Sequence, residues 1–272
     1  MYRFILILII ILLSGLTVGM LELKFKLFNS YLKTSNLTNR YYLNTYPQIK
    51  PTITSQNEFI SKQEITTITF ADPINNPTKK IIKGIPFVIQ DPQEKWIDPR
   101  LKFACEEALM LMTWHWIKSE QLQTKNSNKE KILDLIKWQE ENYGEYLDTS
   151  INDTALRFAQ YFNYNQVQIK QDLSLNEIKQ LLDSDQVIWL PVDGRQLSNP
   201  HFKAPGPYHH LILIKGYDDK TEEFITNDPG TSFGEDWRYD YREIMLAWRD
   251  YPTGLNKTAK NYTKKLIVIS RF

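Results

Sequence analysis

Residues 210–216 read His-Leu-Ile-Leu-Ile-Lys-Gly. The run is apolar without alternation and is closed by glycine, the pattern of a strand buried on both faces. Such a strand cannot stand alone. It needs paired neighbours along both edges and cover above and below, so it commits the C-terminal half of the chain to a sheet. The neighbours are legible. Gln186–Val192 reads as a strand closed by Asp193-Gly194. Glu223–Thr226 reads as a short strand ending in Asn227-Asp228-Pro229-Gly230, and Lys264–Phe272 as a final strand. The cover comes mostly from earlier in the chain. Cys105 to Lys118 has no Gly or Pro and reads as a helix. Lys129–Asn142 carries an apolar stripe of Ile132, Leu135, Ile136 and Trp138. Asp153 can cap a helix over Thr154–Phe162, and Ser174 with Glu177 forms a capping box opening a helix to Leu182. A last helix is expected over Tyr241–Trp248. Helices come first and strands later, which predicts an α+β fold with an antiparallel sheet.

Upstream, the character of the chain changes twice. Phe4 to Leu21 has no charged residue, and Arg3 precedes it. A helix there is close to the length that spans a bilayer core, so residues 1–21 are read as a signal peptide or a transmembrane anchor. Residues 22–79 are rich in Asn, Thr, Ser, Lys and Tyr and are read as a polar spacer, with a short strand near Ile65–Phe70. Residues 80–272 form the organised domain. Ile81–Gln90 is expected to be extended, broken by Gly84 and Pro86, and Asp91–Arg100 to be a loop. Both readings of the N-terminus export the domain, placing it outside the cell membrane on a tether or releasing it as a secreted protein.

Composition removes several functions. Lys+Arg total 33 against Asp+Glu 32, so no basic field is available to hold nucleic acid. One cysteine and four histidines leave neither a disulfide framework nor a multi-cysteine zinc site. No metal and no cofactor is called for. Aromatic residues make up 13% of the chain, which favours a packed domain with a groove.

Five positions have settings suited to chemistry. Cys105 opens a helix, where backbone N–H groups favour an anion and hence a thiolate. A small buried hydrophobe is the plainer reading of a lone cysteine. His209 and His210 stand at the mouth of the buried strand, where a ring is held rigidly enough to act as a base. Asp228 ends the next strand. If the two strands pair as a hairpin through residues 216–221, their outer ends meet and Asp228 can orient an imidazole. A plain turn is the alternative reading of Asp-Pro-Gly, and Asn227 is its rival for that role. Gln90, ahead of the loop leading to Cys105, carries an amide able to donate to an oxyanion.

The order of these residues carries a resemblance. Gly84-Ile-Pro-Phe-Val-Ile-Gln90, Trp96, Cys105-Glu-Glu-Ala108, His210-Leu-Ile-Leu-Ile-Lys-Gly216-Tyr-Asp and Asn227-Asp228-Pro229 together resemble the peptidase C39-like family over about residues 80–272. These are papain-like cysteine peptidases related to bacteriocin-processing domains. The resemblance implies a papain-like α+β fold, with Cys105 as nucleophile, His210 as base, Asp228 as orienting carboxylate and Gln90 in the oxyanion hole. His210 is preferred to His209 because the family's histidine is followed by an apolar run and then Gly-Tyr-Asp. Glu106-Glu107, where exporter-linked domains carry Gly-Pro, points to the stand-alone branch. The expected partners are a peptide or protein substrate and, through the N-terminal segment, the membrane. Two other functions use the same residues: a thiol-dependent amidase or acyltransferase on cell-wall peptide, and a non-catalytic peptide-binding module.

Overall fold

The computed structural model describes residues 78–271. The expected N-terminal segment, the strand near Ile65–Phe70 and the spacer up to residue 77 lie outside them, and Lys79, read as the end of the spacer, belongs to the first strand of the domain. Among the described residues, no helix is long and apolar enough to cross a membrane.

The buried strand is β4, His210–Asp218, and all nine of its residues are buried. It takes antiparallel partners on both edges. β3 (Val187–Val192) pairs with it from Val192↔His210 to Ile188↔Ile214. β5 (Glu223–Asn227) pairs from Leu213↔Asn227 to Asp218↔Glu223, with an irregularity between Ile214 and Gly216. β4 and β5 thus form the hairpin that the sequence implied, and their outer ends bring His210 and Asp228 together. The seven-stranded sheet runs β2-β7-β3-β4-β5-β6, and the short β1 (Lys79–Ile81) adds to the far end of β4. β7 is Lys265–Ile269. Two strands have no counterpart in the sequence reading: β2 (Val167–Gln171) and β6 (Trp237–Asp240).

Helix α1 occupies Cys105–Lys118, and its first nine residues are buried on every side. It is a core helix although Glu106, Glu107 and Thr113 are among those buried residues. Ala108, Leu109 and Met112 have no exposed surface, and Trp189 of β3 donates from Nε1 to Thr113 Oγ1 at 2.9 Å, tying the helix to the sheet. Ser119 ends the helix in the left-handed conformation, returning its N–H to the His115 and Trp116 carbonyls. α2 spans Lys125–Tyr143, capped by Thr124, one turn earlier than the apolar stripe indicated. α3 is Ile151–Phe162, and its cap is Ser150 rather than Asp153; the Ser150 side chain accepts from the Asp153 N–H. α4 (Leu175–Asp183) opens with the expected reciprocal capping box of Ser174 and Glu177, and α5 is Tyr241–Ala247. The result is α+β, mixed helix and antiparallel sheet. A single cluster of apolar side chains joins α1, α2 and α3 to the sheet.

Candidate active site

The N-terminus of α1 and the mouth of β4 open on the same cavity. It has a volume of about 770 Å³, and its wall includes Gln90, Cys105, Asp148, His209, His210 and Gly230. Trp96, Tyr208 and Phe233 also face it. Two tryptophans of α1 are packed elsewhere. Trp114 stacks on Phe162 with ring centroids 4.6 Å apart, and Trp116 is buried.

His210 is anchored from behind. Its Nε2 lies 2.7 Å from Asp228 Oδ1, and the Phe202 ring stands edge-on to the imidazole at 5.5 Å. Asp228 is itself fixed. The Tyr239 hydroxyl donates to Oδ2 at 2.5 Å, and the Gly230 N–H donates to Oδ1 at 2.9 Å. Asn199 Nδ2 in turn donates to the Tyr239 hydroxyl at 2.8 Å. Burial pushes the Asp228 carboxyl up, but the charge and hydrogen bond of His210, with Tyr239 and Gly230, pull it below the ordinary range. A side chain at position 230 would crowd this pair. A Cβ there would meet His210 Cε1 at 3.0 Å, Phe202 at 3.1 Å and Asp228 Oδ1 at 3.2 Å. With Nε2 committed to the carboxylate, Nδ1 is the nitrogen left for proton transfer. Asn227 faces elsewhere: Nδ2 donates to the Pro86 carbonyl at 3.3 Å, and Oδ1 accepts from the Asp236 N–H at 3.4 Å.

Gln90 is held in place on both sides. Its backbone N–H donates to the Pro229 carbonyl at 2.9 Å, beside Asp228, and Nε2 donates to the Leu101 carbonyl at 3.1 Å. Leu101 lies in the short 3₁₀ turn Pro99–Phe103 that delivers the chain into α1. An amide nitrogen carries two hydrogens, so the bond to Leu101 leaves one.

Cys105 is the first residue of α1, as expected, but its surroundings differ from the expectation of an activated thiolate. The Sγ donates to Glu106 Oε2 at 3.0 Å. Burial raises the thiol's pKa well above its ordinary value, and the charges of Glu106, Asp148 and Glu107 add to that. The helix N-terminus favours an anion there, but Glu106 and Glu107 in its first turn are two acidic side chains beside the thiol, and burial raises both their carboxyls. Glu107 is fully buried, and its carboxyl is pushed up to about 8, first by burial and then by Glu106.

His209 has a second set of partners that the sequence did not indicate. Its Nδ1 lies 3.2 Å from Asp148 Oδ2, and the ring lies flat on Tyr251 at 4.3 Å. The Asn256 N–H also donates to Asp148 Oδ2, at 2.7 Å. Tyr251 donates its hydroxyl to Glu106 Oε1 at 3.1 Å. His209 therefore belongs to a network that includes the thiol's hydrogen-bond partner.

A family model described as the peptidase C39-like family matches residues 91–254. Among curated proteins, none matches the chain. A solved structure from Bacillus anthracis, named for a C39-like peptidase, is 14% identical. The match covers 71% of this chain and 97% of that one, with a TM-score of 0.46.

Proposed function

The chain belongs to the peptidase C39-like family, a cysteine peptidase-like group, and on that premise we propose that it is a papain-like enzyme hydrolysing peptide bonds through Cys105, His210 and Asp228. The observation that carries the reading is the His210 Nε2–Asp228 Oδ1 contact of 2.7 Å on the wall of the cavity that Cys105 also lines. It fixes the imidazole by one nitrogen and leaves the other for the sulfur. The thiol proton passes to His210 Nδ1, and the thiolate attacks the substrate carbonyl carbon. The oxyanion is met by the Cys105 N–H and the free hydrogen of Gln90 Nε2, each donor being worth roughly 3 kcal/mol in such chemistry. The imidazolium then protonates the leaving amine, and water releases the acyl group from sulfur. Asp228 stays ionised throughout and stabilises the imidazolium.

The substrate is a peptide or protein that enters the groove beside Trp96, Tyr208 and Phe233. The uncharged run from Phe4 to Leu21 supports export, with the domain held at the outer face of the cell membrane or released by cleavage. Turnover of a peptide library by wild type and Cys105→Ser tests the chemistry, with circular dichroism to establish that both are folded. A Ser variant that keeps near-wild-type turnover removes Cys105 from the role. Protease digestion of intact cells tests export: the domain should be digested before the cell is breached, and protection until then reverses the topology.

A further inference from the structure

Glu106 is the residue after the proposed nucleophile, and it is only 1% exposed. A carboxylate so deeply buried needs partners, and it has three. Oε2 accepts from the Cys105 thiol at 3.0 Å. Oε1 accepts from the Thr149 N–H at 3.1 Å and from the Tyr251 hydroxyl at 3.1 Å. The last two come from different parts of the chain, the turn before α3 and the segment after α5. They pin the carboxylate so that it cannot follow the sulfur if the sulfur moves. Burial raises the Glu106 carboxyl and the charge of Asp148 adds to that, while the hydrogen bonds from Cys105 and Tyr251 hold it down. A thiol that donates to this carboxyl holds its proton, and a thiolate formed there would face the charge of the ionised form.

We propose that Glu106 is a positioning residue for Cys105: it holds the resting thiol protonated and turned away from the base, and catalysis requires Sγ to leave Glu106 Oε2 for the His210 imidazole. The inference rests on the assignment of Cys105 as nucleophile. On leaving, the sulfur gives its proton to His210 Nδ1, and the Glu106 carboxylate retains Thr149 and Tyr251 as donors. The ionisable groups around the thiol come from every element packed there. Glu106 and Glu107 lie on α1, Asp148 before α3, Tyr251 after α5, His209 just before β4, His210 at its start, and Lys102 on the turn ahead of α1. Burial raises the thiol's pKa most, and Glu106 is the largest contribution from any of these groups.

The chain has one cysteine, so alkylation reports this thiol alone. The test is the second-order rate of iodoacetamide reaction with the full chain from pH 5 to pH 10, for wild type and Glu106→Gln. The Gln variant removes the charge at nearly constant size. Its profile should move to lower pH by about one unit, giving roughly tenfold faster labelling on the rising limb. A purely structural role would leave the midpoint in place. An unmoved profile, or one shifted upward, overturns the proposal. If the Gln variant fails to fold, the infrared S–H stretch of wild type decides, with Cys105→Ser as blank. A band lowered in frequency by hydrogen bonding is expected at neutral pH, and a free-thiol frequency or no band contradicts the proposal. Failure here is distinguishable from failure of the nucleophile assignment, which only retained turnover in Cys105→Ser would show.

Discussion

Two adjacent histidines at the mouth of β4 line one cavity, and each meets a carboxylate, yet the two pairs are built for different work. Asp228 is fully buried, with the His210 imidazole at 2.7 Å, and is locked by two further donors from Tyr239 and Gly230. Asp148 meets His209 at 3.2 Å and shares the same oxygen with the Asn256 N–H. The His210 ring has an aromatic edge-on and lies on the cavity wall, and with Nε2 held by Asp228 its Nδ1 is left for proton transfer. The His209 ring is pressed flat on Tyr251, and its Nε2 is buried with no partner among the described residues. A base needs one anchored nitrogen and one in reach of the reacting proton. His210 has a rigid anchor for that task. His209 instead braces Tyr251, which braces Glu106, which holds the resting thiol. One region is arranged for the reaction and the other for the state before it.

The largest effect expected on either side is loss of the shared member. Cys105→Ser should reduce turnover to background with the fold intact, because a serine in this setting lacks a base tuned to it. Next come the two carboxylates. Asp228→Ala should lower kcat/KM by about a hundredfold, less than Cys105→Ala does, and should shift the pH–rate profile, since the imidazolium loses its counter-charge. Asp148→Ala should cost no more than about tenfold, roughly 1.4 kcal/mol. Equal losses would erase the distinction drawn between the pairs, and a larger loss for Asp148→Ala would invert it. Asn227→Ala should leave the profile where it is, because its amide is engaged with Pro86 and Asp236 rather than with His210.

The smallest expected effect is on stability, and there the two regions titrate in opposite senses. The Asp228 carboxyl lies below its unfolded value, so its contribution is complete above that value and is lost as pH falls through the folded one. Glu107, beside Glu106, lies above its unfolded value, at about 8 against 4.5. Its contribution is complete below 4.5 and is lost as pH rises toward 8. Thermal unfolding from pH 3 to pH 9 checks both. Glu107→Gln should flatten the decline on the alkaline side, and Asp228→Asn should flatten it on the acid side. A Glu107→Gln variant that loses as much stability between pH 5 and pH 8 as wild type would mean that Glu107 is not the group being titrated.

The parts of the fold that were legible in sequence are those where local pattern and burial agree. α1 begins and ends where its composition says, because no Gly or Pro interrupts Cys105 to Lys118 and the whole first half is buried. β4 is legible for the same reason. The two missed strands, β2 and β6, are the two ends of the main run of the sheet. Edge strands need cover on fewer sides. Val167–Gln171 is accordingly half-exposed and rich in Gln and Lys, and Trp237–Asp240 is only four residues long. Cys105, His210 and Gln90 share one cavity, and Asp228 stands directly behind His210, in the order in which their motifs occur. The network around the resting thiol was invisible. Glu106 draws its donors from Thr149 and Tyr251, 43 and 145 positions away, and Asp148 is 61 positions from His209. No spacing rule links residues that far apart in the chain, and nothing local marks Tyr251 or Asp148 as different from other polar residues in turns.

The central claim is that His210, with Asp228 behind it, activates Cys105, and that His209 does not. Single-turnover acylation of the thiol by an activated peptide ester, followed by mass spectrometry after acid quench, tests this most directly. His210→Ala should acylate roughly a thousandfold more slowly than wild type, the scale of lost general-base catalysis. His209→Ala should acylate within about tenfold of wild type. A His209→Ala variant that fails to acylate while His210→Ala does so at near-wild-type rate would contradict the claim and assign the base to the pair formed with Asp148.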